Sequence, residues 1–96
     1  MDLIPLHNRV VALDIHQAVI TSCAIVADGD GVRIEERPFE TFKRGLRALR
    51  DWCLKIKPEV VVMESTGIYW KSPHAWLERA GLNCMVVNAH HVKNVP

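Results

Sequence analysis

Short apolar runs broken by turn residues fill most of this chain, and a single stretch between them has clear helical spacing. Val10, Val11, Ala12 and Leu13 lead into Asp14 and Ile15, which reads as a strand buried on both faces with an acid near its end. Residues 18–27 are rich in β-branched side chains and read as a second strand. Asp28-Gly29-Asp30-Gly31 supplies hairpin turn chemistry, and residues 32–37 alternate as a third strand that Pro38 is expected to stop. The opening is therefore predicted to be a three-stranded antiparallel meander. Residues 1–8, broken by Pro5, read as a lead-in.

The period then changes. Phe42, Leu46, Leu49, Cys53 and Ile56 recur at helical spacing, so residues 42–57 are predicted as an amphipathic helix, with Thr41 as its N-cap and Pro58 ending it. Val60-Val61-Val62-Met63 follows as another buried strand, again ending in an acid, Glu64. Ser65-Thr66-Gly67 marks a turn. Ser72 and Pro73 suit the N-cap and first position of a second helix, with a start near Tyr69 as the alternative; it runs to Ala80 and closes on Gly81. Residues 84–87 form the last strand, and residues 88–96 carry no regular pattern. The predicted order is β-β-β-α-β-α-β, an α/β domain with a mixed sheet. Hairpins make the first three strands antiparallel, and helical crossovers make the later ones parallel.

Composition narrows the function classes. Apolar residues make up 49% of the 96 positions, enough for one domain with a core. Twelve Lys and Arg against eleven Asp and Glu leave no global attraction to nucleic acid or to an anionic membrane, so any such role must rest on a local patch. Cys23, Cys53 and Cys84 lie far apart in apolar stretches without metal-binding spacing, which fits free thiols in a reducing cytoplasm. Neither a signal peptide nor a run of transmembrane length is present, so a cytoplasmic chain with no membrane partner is expected. The absence of GxSxG, P-loop and GxGxxG patterns argues against hydrolase and nucleotide-cradling readings.

Asp14 and Glu64 are the candidate functional residues. Each interrupts or closes a strand that otherwise reads as core, where a carboxylate needs hydrogen bonds, a cation or a metal. Sites in open α/β sheets gather beyond the carboxyl ends of the strands. If the two strands are neighbours, the acids converge, and paired carboxylates suit a hard divalent ion such as Mg²⁺. The plainer alternative makes each acid a turn former or a solvated strand end. His16 shares the parity of Asp14 and could face the same site, against the simpler reading of an exposed or packed histidine. His90 and His91 are adjacent, so in an extended segment they point oppositely and chelate together poorly. Lys43, Arg44, Arg47, Arg50 and Lys55 lie away from the apolar stripe, either as a solvated face or as phosphate contacts. Tyr69 and Trp70 suit either base stacking or packing against the sheet.

Three segments carry a resemblance: Val11-Ala12-Leu13-Asp14-Ile15-His16, Val62-Met63-Glu64-Ser65-Thr66-Gly67-Ile68-Tyr69-Trp70, and Val87-Asn88-Ala89-His90-His91-Val92-Lys93-Asn94-Val95-Pro96. Together they resemble the start of the DEDD insertion-sequence transposases, a family that includes the Piv-type DNA invertases. The resemblance implies a RuvC-like domain of the ribonuclease H fold, in which four acids bind Mg²⁺ (or Mn²⁺) for DNA strand cleavage and exchange. Asp14 matches the first acid and Glu64 the second, as catalytic and metal-binding residues. The other two aspartates of the family pattern follow the Asn-Val-Pro with which this sequence ends. A single N-terminal catalytic-domain fragment spanning residues 1–96, inactive alone, is therefore expected. DNA is the implied partner, together with a guide RNA for some full-length members and a serine nucleophile on a further domain. A homo-oligomer is also expected, because a domain this small buries only about 60% of its unfolded surface and Leu54 lies among basic residues. A noncatalytic nucleic-acid-binding or oligomerisation module of the same fold is the alternative. An actin-like ATPase half ranks below both, since the hairpin after Asp14 lacks a phosphate-binding glycine.

Overall fold

The computed structural model describes residues 8–29 and 31–88. Five strands and two helices follow in the predicted order: β1 (Arg9–Ile15), β2 (Val19–Asp28), β3 (Gly31–Glu40), α1 (Lys43–Ile56), β4 (Val60–Ser65), α2 (Lys71–Arg79) and β5 (Cys84–Asn88). They form one sheet with strand order β3-β2-β1-β4-β5. β2 runs antiparallel to both β1 and β3, whereas β4 is parallel to β1 and to β5. This is the mixed sheet expected from hairpins followed by helical crossovers. His90 and His91 lie outside the described residues, as does Asp30 in the β2–β3 turn.

Both helices cover the same face of the sheet. Val11, Leu13 and Ile15 of β1, with Val61 and Met63 of β4, are almost fully buried against Leu46, Leu49 and Cys53 of α1 and Leu77 of α2. The alternate residues point to the other face. There Ile25, Val32, Ile34 and Met85 are exposed, with Ile34 at 66%. The expectation that β1 and β4 are buried on both faces is therefore corrected. Their continuous apolar runs resemble those of a doubly covered strand, but among the described residues a helical layer lies on one side only.

Three local expectations also change. β3 continues through Pro38 to Glu40, because it is an edge strand and the missing N–H of a proline is tolerated on an open edge. Thr41 does not cap α1; its hydroxyl donates to the Gln17 carbonyl at 2.9 Å and ties the helix entry to the β1–β2 hairpin. Phe42 is the N-cap residue, without a side-chain hydrogen bond. Ser72 lies inside α2 rather than at its cap, because a turn over residues 67–70 starts the helix earlier. Pro73 then falls in the first helical turn, where its missing N–H has no partner to lose.

The ends of the helices follow the sequence. Gly81 takes a φ of +86°, its N–H donates to Glu78 O at 2.9 Å, and the Leu82 N–H donates to Leu77 O at 3.1 Å. These are the paired bonds of a Schellman close. α1 stops before Pro58 with Lys57 in the left-handed region, φ 56° and ψ 57°, its N–H on Cys53 O. The Arg9 guanidinium donates to the Lys57 carbonyl at 2.7 Å and secures this exit. None of the described helices is long and apolar enough to cross a membrane.

Candidate metal centre

The β1–β4 ladder pairs Val10 with Val60 and continues in step to the carboxyl ends, where Asp14 is the Cα partner of Glu64. Parallel partners project their side chains to the same face, so Asp14 and Glu64 leave neighbouring backbones one strand spacing apart, about 4.8 Å, toward the same side of the sheet. Both belong to the parity that faces away from the helices, and both are exposed; the Asp14 side chain is 59% accessible. Neither acid therefore carries the desolvation expected of a core carboxylate. Exposure on the open face is what makes them available to a ligand.

The acids line one groove of about 480 Å³ on that face. Ala12 and Val62 form its floor, Thr21 and Cys23 of β2 one flank, and Val87 of β5 the other. Small side chains at Ala12 and Cys23 leave the carboxylates standing above their surroundings. Glu36 of β3 lines the same groove; the sequence reading missed it, although it breaks the alternation of β3 by falling on the parity of Val32 and Ile34. It is the Cα partner of Cys23, which pairs with Ala12, so two strand spacings, about 10 Å, separate it from β1.

His16 is brought to Asp14. Its Nε2 lies 3.1 Å from Asp14 Oδ2, and its backbone N–H donates to the Val19 carbonyl at 3.0 Å, which closes the hairpin around it. The two readings of this histidine meet here: its side chain is half exposed and also within reach of Asp14. Trp70 packs against the hydrophobic core and meets His74 edge-on at 5.6 Å, while Tyr69 stays 41% exposed beside the Gly67 turn. Trp70 is thus a packing residue, and of the two aromatics Tyr69 alone faces solvent.

The pair fits a hard divalent cation by donor chemistry. Mg²⁺ is commonly held by one or two carboxylates, with water and substrate oxygens completing its shell. Among the described residues no group of three or more His, Cys, Asp or Glu side chains converges as a closed metal cage. What Asp14 and Glu64 form is an open pair of acids on one rung of the sheet.

Solved structures with similar folds include the Fowlpox virus Holliday junction resolvase, with 14% identity over 83% of this chain and a TM-score of 0.60. The same resolvase in complex with Holliday junction DNA aligns with a TM-score of 0.58. Archaeoglobus fulgidus Pelota aligns at 0.61 with 13% identity over 82% of this chain. The chain spans 60% of the resolvase and 26% of Pelota. At these identities the likeness speaks for the fold, which is ribonuclease H-like. No curated protein matches the chain. Residues 11–96 match the DEDD family of the IS110 type, described as Transposase, and that match covers both acids and the turn after Glu64. The chain belongs to the DEDD-type IS110 transposase family.

Proposed function

We propose that this chain is an N-terminal RuvC-like catalytic unit that supplies the first two acids of a Mg²⁺- or Mn²⁺-dependent centre for DNA strand cleavage and exchange. The register pairing of Asp14 with Glu64 carries this reading. Two strand-end acids with unrelated roles have no reason to share one rung and one face.

In this reading Asp14 and Glu64 each offer carboxylate oxygens to the cation. When bound, the cation supplies charge stabilisation at a phosphodiester and positions its oxygens. His16 donates to Asp14 Oδ2 and fixes the orientation of that carboxylate, the part an outer partner plays for a metal ligand. The small residues flanking the acids admit a backbone phosphate to the groove. Two carboxylates leave most of the coordination shell to water and other oxygens, so this pair by itself binds the ion weakly. Further acids are required for activity, as the family pattern implies.

The test is a Mn²⁺ titration followed by nuclear magnetic resonance. Paramagnetic broadening centred on the amides of Asp14, His16 and Glu64 is expected, and Asp14→Asn should remove it. Uniform weak broadening, or broadening centred elsewhere, would overturn the metal assignment and leave a noncatalytic nucleic-acid-binding or oligomerisation module.

A further inference from the structure

The near-neutral net charge hides a strong separation. Positions 43–57 hold six of the twelve Lys and Arg residues and one of the eleven acids, so α1 and its cap are strongly positive while the rest of the chain is net negative. The positive charge is also ordered. Lys43, Arg47, Arg50 and Leu54 follow i, i+4, i+7, i+11 spacing and form one ridge along the outside of α1. The ridge spans about 16 Å at 1.5 Å per residue. Its cationic part, from position 43 to 50, covers about 10 Å, or about three phosphates at 3.4 Å per nucleotide.

α2 extends this ridge. The Arg50 guanidinium lies over the Trp76 ring at 5.6 Å, and Arg50, Trp76, Arg79 and Ala80 line a shallow depression of about 150 Å³. Arg50 also meets the Asp51 carboxylate at 3.0 Å, an exposed pair of small worth. Among the described residues no ion pair engages Lys43, Arg47 or Arg79. Three cations without an ion pair among the described residues therefore share this surface with a guanidinium that lies over an indole. Such planar, positioned donors suit phosphate oxygens.

We propose that this α1–α2 ridge is a contact surface for the phosphate backbone of duplex DNA. It lies on the helical side of the sheet, away from the acids, so it is a second contact distinct from the metal centre. The inference rests on the reading of the chain as part of a DNA transposase, and charge complementarity identifies the occupant.

The experiment measures the affinity of the full chain for a 20-base-pair DNA duplex by fluorescence anisotropy. Every protein carries Asp14→Asn and Glu64→Gln, and the buffer contains EDTA. The metal centre is thus silent, and its failure would appear only in the Mn²⁺ titration. Arg47→Glu with Arg79→Glu should weaken binding at least tenfold and make the salt dependence shallower by about two units, one per lost phosphate contact. Arg44→Glu with Lys55→Glu, the same charge change on the other flank of α1, should alter affinity less than threefold. Far-UV circular dichroism reports folding; if the first pair does not fold, Arg47→Ala and Arg79→Ala replace it, each expected to lose about threefold. Equal losses in the two pairs, absence of DNA binding, or a ridge-dependent preference for an RNA duplex of the same sequence would each overturn the proposal.

Discussion

Asp14 and Glu64, fifty positions apart in the chain, occupy the same rung of the parallel β1–β4 ladder and face the side of the sheet that the helices leave open. Like charges on neighbouring strands repel and disfavour the fold slightly. The arrangement therefore has a small structural cost, which a cation bound as proposed would reverse.

That cost has a measurable sign. Glu64→Gln should stabilise the metal-free chain by about 0.5 kcal/mol, raising Tm by about 2–4 °C for a domain of this size. The same substitution should weaken Mn²⁺ binding at least tenfold. Opposite effects in thermal melts and in metal titration identify the pair as functional; loss of stability without metal would make Glu64 a structural residue.

Gly45 is needed where α1 leaves the sheet. A Cβ at this position would collide with the backbone carbonyl of Glu40, at the end of β3, and backbone cannot give way as a flexible side chain can. Gly45→Ala should cost about 1–3 kcal/mol through this overpacking, despite alanine's better helix propensity. Urea denaturation monitored by Trp52, a core residue of the same helix, is the check.

The buried thiols make stability fall in alkali. Burial, and then the neighbouring Cys84, pushes the Cys53 thiol from 9.0 up to about 12. Burial, followed by Glu78, takes Cys84 from 9.0 to about 11. Unfolding releases each thiol to ionise near its ordinary value, so the folded state's advantage is complete below about pH 9 and is lost as pH rises through 11 and 12. The slope should reach about 1.4 kcal/mol per pH unit for the more buried thiol. Denaturant midpoints measured from pH 8 to 11 should decline, and Cys53→Ala should flatten the decline while lowering the starting stability.

The open face of the sheet should make the chain self-associate. Val32 and Ile34 on β3 and Met85 on β5 are exposed at 60%, 66% and 55%, on the face that no described helix covers. Sedimentation velocity at tens of micromolar should show concentration-dependent association, and Ile34→Lys with Met85→Lys should return the chain to monomer. A wild-type chain that stays monomeric at high concentration would show that this face is tolerated bare.

The order of elements, the two hairpins, the helix of residues 43–56 and its stop before Pro58 were legible in the sequence, because each depends on short-range spacing and on residues with restricted backbones. The Gly81 close was legible for the same reason. The two acids stood out as polar interruptions of apolar runs, and family resemblance attached roles to them. Tertiary structure decided what lies between such segments. Which strand neighbours β1, and in what register, depends on packing between residues far apart in sequence, so the sharing of a rung by Asp14 and Glu64 emerged only in the sheet. The same holds for the face they occupy. A run such as Val60-Val61-Val62-Met63 is equally apolar whether one side or both are covered, and only the placing of α1 and α2 on a single side left the acids exposed. The contact of His16 with Asp14, the passage of β3 through Pro38 and the meeting of Arg50 with Trp76 likewise needed the third dimension, because each depends on where a neighbouring strand or helix comes to rest.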